Sequence, residues 1–410
     1  MSACCPLRRS VCLKGILLLL LLPAGASAQT AATEAVKPPW KTYQTQYYLI
    51  HTDLDADTVR EATARMTSMA EEYHQRTEGF AGTIRERLPF HLFSDPKDYY
   101  AAGGTLGSAG QYDGTRLMAV ASKRYGDRVW HVVQHEGFHQ FAHRVIRGRI
   151  PVWVNEGLAE YFGLGIWTGD NYVTGIVPPS RLGRLKAHIE GGRLLPFSQM
   201  LSMDYREWVS SLGGANYDQA WSMVHFLVHA EGGKYRRPFE AFIKDVSRAQ
   251  PSRQAFYRRF GRDIEGFEKQ CKQWWSLLPE NPTAERYTLA DVETLTSYLA
   301  RAQLSGQKFS DVKEFFDAAD AGQLKMPQER WLPAKLLNGA MLRARGLERW
   351  SLGKGRYGST LILTQANGHT FTGAFAPEKG FVKVRVDVKK TPPSTAPAGQ
   401  SDSAPSAGSH

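Results

Sequence analysis

Cysteine is nearly missing from this chain. Of its four cysteines, Cys4, Cys5 and Cys12 sit at the amino terminus, which leaves Cys271 alone in the rest of the sequence. One thiol cannot close an internal bridge. The early cysteines also precede an apolar run, whereas a bacterial lipid-attachment cysteine would follow it, so lipid anchoring is not expected.

Long hydrophobic runs are missing too. ILLLLLL, Ile16 to Leu22, is far shorter than the ~20 residues that a membrane span requires. Arg8, Arg9 and Lys14 precede it, and PAGASAQ follows with small residues at Ala26 and Ala28. That pattern predicts a signal segment over residues 1–28 and an exported protein, periplasmic or extracellular, with no transmembrane span once it is removed. An uncleaved anchor is the alternative.

Neither sign of charge dominates in a block. Removing the signal segment takes three of the 51 Lys and Arg residues, leaving 48 against 40 Asp and Glu. The only basic clusters are YRRPF and FYRRFGR (Arg236, Arg237, Arg258, Arg259, Arg262), which read as solvated helix faces. No nucleic-acid partner is expected, and attraction to an anionic envelope surface would be weak. Internal repeats are absent. The glycine stretch AAGGTLGSAGQYDG lacks the Gly-Lys-Ser/Thr of a phosphate loop and has no Rossmann spacing, so it is expected to be a mobile loop.

What is present is an ordinary globular composition, 42% hydrophobic and 22% charged, over 410 residues. The length suggests two or three folded units. YQTQYYLIHTDLD, LPFHLFS and TRLMAVASK read as strands, and residues 55–79 as a helix. From Asp127 to about Arg147 the pattern is helical, and VNEGLAEYF opens another helix after Pro151. Further helices include ANYDQAWSMVHFLVH. ENPTAER (Glu280 to Arg286) looks like a linker before a helical unit over 285–345. Alternating strands follow over 346–391, with turns at Asn367-Gly368 and Lys379-Gly380. The tail, 392–410, is rich in Pro, Ala and Ser and expected to be disordered. The fold class is α+β, with a mixed α+β subdomain over 40–165 and a helical subdomain over 166–280.

One stretch carries chemistry. HVVQHEGFHQFAH places His131, His135, His139 and His143 at every fourth position. Histidines four apart stack on one helical face, so one adjacent pair can reach a zinc ion at ~2.0–2.1 Å. All four cannot, because His131 and His143 lie ~18 Å apart along the axis. Only His135 and His139 form an HExxH pattern, in which Glu136 can take a proton from a metal-activated water. Chance would supply about 0.02 such patterns in a chain of this composition. His131 reads as a packed or hydrogen-bonded neighbour, with a supporting role beside the ligands as the sharper reading. His143 reads as solvated. A third ligand of the metzincin kind would require Gly at 142 and His at 145, where the chain has Ala142 and Val145.

The best third ligand is Glu156, seventeen positions beyond His139 in WVNEGLAE. Glu160 follows one turn later and can accept a hydrogen bond from the far nitrogen of a metal-bound histidine, fixing its tautomer. HEGFHQF followed by PVWVNEGLAEYF resembles the gluzincin metallopeptidases. More closely it resembles the peptidase-MA-like family of exported, mostly uncharacterised proteins. The likeness is strong over residues 45–165, looser to about 275, and silent on the last hundred residues.

The resemblance implies a small mixed sheet, an HExxH helix and a helical lobe, with a Zn(2+) cofactor. It implies His135, His139 and Glu156 as ligands, Glu136 as general base and Glu160 as support for a ligand. A peptide or protein substrate is implied, aligned on an edge strand formed by TRLMAVASK. Gluzincins also use a Tyr or His as an oxyanion donor. Tyr217 is the candidate, although its place in an apolar stripe equally suits a core tyrosine; His225 and His229 are weaker candidates. No GxMEN strand is present, which favours endopeptidase over aminopeptidase. The competing reading is a non-catalytic envelope-binding or structural protein that keeps the zinc-site fold.

Overall fold

A computed structural model describes residues 39–390 apart from 122–125, 127, 147–149, 211–213, 348 and 379–380. The signal segment, the carboxyl-terminal tail and the Lys379-Gly380 turn lie outside the described residues. Among the described residues no helix is long and apolar enough to cross a membrane.

The first expected strand is a hairpin. β1 (Lys41–Gln44) and β2 (Tyr48–Thr52) pair antiparallel, because Thr45 turns the chain by accepting from the N–H groups of Tyr47 and Tyr48. Asp55 then caps α1 (Ala56–Thr77), receiving the N–H groups of Asp57 and Thr58. β3 (Leu88–Phe93) lies parallel to β2. Next come α2 (Pro96–Ala101), β4 (Gly110–Tyr112) and β5 (Leu117–Val120). The resulting five-stranded mixed sheet has the order β1-β2-β3-β5-β4.

Two expectations change here. TRLMAVASK does not form the edge: β5 is interior, parallel to β3, and every residue from Leu117 to Val120 is buried. The edge on this side is β4, antiparallel to β5, and it lies inside the glycine stretch expected to be a loop. Glycine allows it. A Cβ at Gly110 would stand 2.9 Å from the Met118 carbonyl and 3.1 Å from Val132, so only a bare backbone fits between β5 and the helix beneath.

That helix is α3 (Arg128–Val145), which presents Trp130, Val133, Phe138, Phe141 and Val145 to the core. After Pro151, α4 (Val152–Gly163) runs back along it. A short hairpin follows, β6 (Ile166–Trp167) with β7 (Tyr172–Val173). The helical lobe then comprises α5 (Pro179–Glu190), α6 (Phe197–Met200), α7 (Tyr205–Ser210), α8 (Gly214–His229), α9 (Arg236–Ser247), α10 (Ser252–Phe260) and α11 (Ile264–Leu277). All five arginines of the basic clusters are exposed, and Arg258 and Arg259 also pair with Asp245.

The expected linker is a second correction of boundary. Ala284 to Arg286 already belong to α12 (Ala284–Leu304), and Thr283 is tied down, accepting from Val177 N–H at 3.0 Å. α13 (Val312–Asp320) and α14 (Ala334–Ala344) complete the helical unit. β8 (Trp350–Lys354), β9 (Ser359–Thr364), β10 (Thr370–Glu378) and β11 (Phe381–Lys389) form an antiparallel sheet in sequence order, with Gly368 at positive φ in the expected turn. α12 joins this sheet to the earlier part of the chain. Arg301 pairs with Asp170 at 2.8 Å, and Glu293 accepts from Thr168 Oγ1 at 3.1 Å. The architecture is therefore α+β.

Candidate metal centre

α4 is held in register against α3 by groups that complete its carboxyl end. Gln134 Nε2 donates to the carbonyls of Phe162 and Gly165, both at 3.0 Å, and His131 Nδ1 donates to that of Gly163 at 2.8 Å. The Phe162 carbonyl also accepts from Gly165 N–H at 2.9 Å, so the side chains of α3 add to the backbone cap at this end of α4. His131 thus acts as a hydrogen-bonded neighbour that sets the helix pair.

Two glycines set the depth of the packing. A Cβ at Gly137 would meet Met69 of α1 at 2.8 Å. One at Gly157 would stand 2.5 Å from the Ala220 carbonyl and 2.6 Å from Val224, both on α8. Each glycine directly follows a glutamate singled out by the sequence, Glu136 or Glu156, so close helix crossing and placement of the carboxylate are coupled.

The outcome is a compact cluster. His135 Nε2 and His139 Nε2 lie 3.1 Å apart, and Glu156 Oε2 is 3.5 Å from each. These residues form the one group of three or more potential ligands among the described residues. Four ligands at 2.0–2.1 Å in a tetrahedron stand about 3.3–3.4 Å from one another, so this triangle matches three corners of a zinc site. All three side chains keep slight exposure, 12%, 14% and 10% in that order.

The charge distribution suits a cation. Burial disfavours the charged form of His135, yet hydrogen bonds to Glu156 and Glu160 outweigh it and push the imidazole up to about 10. Burial likewise opposes ionisation of Glu156 and Glu160, but the histidines, and Arg181 for Glu160, hold both carboxyls down at about 2. A proton on the imidazole occupies the role that a metal ion would take.

Glu160 Oε1 accepts from His135 Nδ1 at 3.1 Å, leaving Nε2 to face the triangle. Sequence reasoning missed what lies behind it. Arg181 on α5, only 8% exposed at its side chain, donates to Glu160 Oε2, pairs with Asp218 at 2.8 Å and donates to the Tyr217 carbonyl at 3.2 Å. The available signal was an arginine on the same buried stripe of α5 as Leu185, and an aspartate inside the stripe of α8. Two buried charges of opposite sign on amphipathic helices require each other.

Glu136 stands outside the ligand triangle. Its Oε2 accepts from the backbone N–H of Tyr112 on β4 at 2.8 Å. The Tyr217 ring lies 6.4 Å from His135 and edge-on to Trp208 at 5.2 Å. Burial and the Glu156 charge raise its phenol above the ordinary range. Tyr217 is thus half-buried beside the cluster, its ring packed between Trp208 and His135. His225 and His229 are engaged elsewhere, with the Gly175 carbonyl at 3.3 Å and the Tyr161 hydroxyl at 3.0 Å. His143 is exposed as expected, but it is not merely solvated: its Nδ1 meets the Tyr112 hydroxyl at 2.7 Å.

Residues 130–253 match the model of a family described as a protein of unknown function, DUF1570. The matched segment is under a third of the chain and runs from α3 into the helices beyond α8. It contains the ligand triangle together with Glu136, Glu160, Arg181, Tyr217 and Asp218. No curated protein and no solved structure matches the chain. Over the residues that build the centre, the chain is similar to a family without an assigned activity.

Proposed function

We propose that the protein is an exported zinc-dependent hydrolase of the gluzincin type, a peptidase. The observation that carries this reading is the triangle of His135, His139 and Glu156, with Glu136 beside it and outside it. His135, His139 and Glu156 would hold the metal and leave a fourth position for water or substrate. When bound, zinc supplies a water of lowered pKa and polarises the scissile carbonyl.

The chain's own groups do the rest. Glu136 accepts the proton of the attacking water and passes it to the departing amine. Glu160, held by Arg181, keeps the proton of His135 on Nδ1. The Tyr217 phenol, kept protonated by its surroundings, donates to the oxygen on which negative charge develops.

The test is metal content together with cleavage of a mixed peptide library, for the natural protein and Glu136→Gln. One zinc in both, with cleavage lost in the variant, supports the reading. Unchanged cleavage in the variant overturns the role of Glu136. Zinc without any cleavage by the natural protein favours a non-catalytic platform that keeps the metal fold.

A further inference from the structure

The edge strand is tied to the zinc helix at three levels. Gly110 lets the β4 backbone rest on Val132, Tyr112 N–H reaches Glu136, and the Tyr112 hydroxyl reaches His143. Val132, Glu136 and His143 are spaced four and seven residues apart and so share one helical face. The β4 ladder places its bonds on alternate residues: Asp113 N–H donates to Arg116, and Val120 N–H donates to Ala109. The N–H of Tyr112 therefore points away from β5, free to serve the carboxylate. Its phenol donates to the Gly114 carbonyl at 2.7 Å and hence accepts from His143 Nδ1–H, with the Arg144 guanidinium beside it. Gln111 braces the loop before it, accepting from Thr105 N–H at 2.9 Å and donating to the Gly103 carbonyl at 3.0 Å.

We propose that Tyr112 is a positioning residue for the general base: the Tyr112–His143 contact seats the edge strand on α3 so that Tyr112 N–H holds one oxygen of Glu136. The other oxygen then faces the reacting water. The fourth histidine of the stripe thereby acquires a task, one turn beyond His139 and outside the triangle. This inference rests on the hydrolase reading, but its structural part can be judged without it.

The experiment compares the zinc-loaded natural protein with Tyr112→Phe, His143→Ala and His143→Gln. Hydrogen–deuterium exchange at the Tyr112 amide is measured beside cleavage of the peptide library. Tyr112→Phe is expected to keep one zinc, to speed exchange of that amide about tenfold, and to lower kcat about fivefold to tenfold with KM nearly unchanged. His143→Ala should behave alike. His143→Gln, which retains a donor for the phenol oxygen, should restore both readouts. Unchanged exchange at Tyr112 in Tyr112→Phe overturns the proposal whatever the activity. Absence of cleavage by the natural protein overturns the hydrolase reading alone, and the exchange data still decide the clamp.

Discussion

Glu160 receives His135 Nδ1 at 3.1 Å on one carboxylate oxygen and the Arg181 guanidinium on the other. The carboxylate is therefore held from behind while it orients the imidazole. Removing either partner strands a buried charge, and the consequences differ with the partner removed.

Arg181→Met should be the more damaging substitution. It leaves Glu160 without its cation and Asp218 with Arg184 alone, at a cost of about 3–5 kcal/mol. Glu160→Gln retains an acceptor for His135 and should chiefly weaken zinc binding, about tenfold to a hundredfold. Urea unfolding and competitive zinc titration read the two effects separately. Equal stability in Arg181→Met and the natural protein would refute this account of the network.

The four histidines should separate cleanly by metal stoichiometry. His135→Ala, His139→Ala and Glu156→Ala are expected to lose the bound zinc, because each removes a corner of the triangle. His131→Ala and His143→Ala should retain one equivalent. His131→Ala should also unfold about 1 kcal/mol more easily, having lost the bond to the Gly163 carbonyl. A full equivalent of tightly bound zinc in Glu156→Ala would refute the third ligand.

The metal-free centre should carry its own pH signature. His135 is raised from 6.5 to about 10, so its contribution to stability is complete below pH 6.5 and fades as pH rises toward 10. Glu156 and Glu160 are lowered from 4.5 to about 2, so theirs is complete above pH 4.5 and fades as pH falls toward 2. Without metal, the cluster therefore stabilises most between pH 4.5 and 6.5. Zinc must displace the imidazole proton, so the Tm increase on adding zinc should be larger at pH 8 than at pH 5.5. An equal increase at both would show that no proton is displaced.

Gly157→Ala tests whether helix crossing places the third ligand. The added methyl meets a backbone carbonyl of α8, which cannot swing aside. About 1–3 kcal/mol of destabilisation is expected. Zinc affinity should fall as well, since α4 must shift with Glu156 on it. Thermal unfolding with and without chelator separates the two. A variant with natural stability and affinity would show that the crossing has slack.

Much of the centre was legible because helices turn local spacing into geometry. His135 and His139 had to share a face, and Glu136 had to leave it, whatever else the chain did. Glu156 and Glu160 were legible because a second short helix directly follows. Tyr112 was not: it lies in a glycine-rich stretch without strand-like alternation, and strand β4 forms there only because β5 and α3 flank it. Arg181 and Asp218 were also hidden, since two charges on separate helices reveal their pairing only when the helices meet.

By itself the sequence determined the HExxH helix, the following glutamate helix and the order of elements, all set by interactions within a few turns of chain. Tertiary structure decided which strand forms the edge, which group supports Glu160 and how Glu136 is held. Those outcomes depend on backbone approaching backbone at Gly110 and Gly157, and on buried charges finding partners more than twenty residues away. Close packing and desolvation act between elements, and neither leaves a spacing in the sequence that fixes the partner.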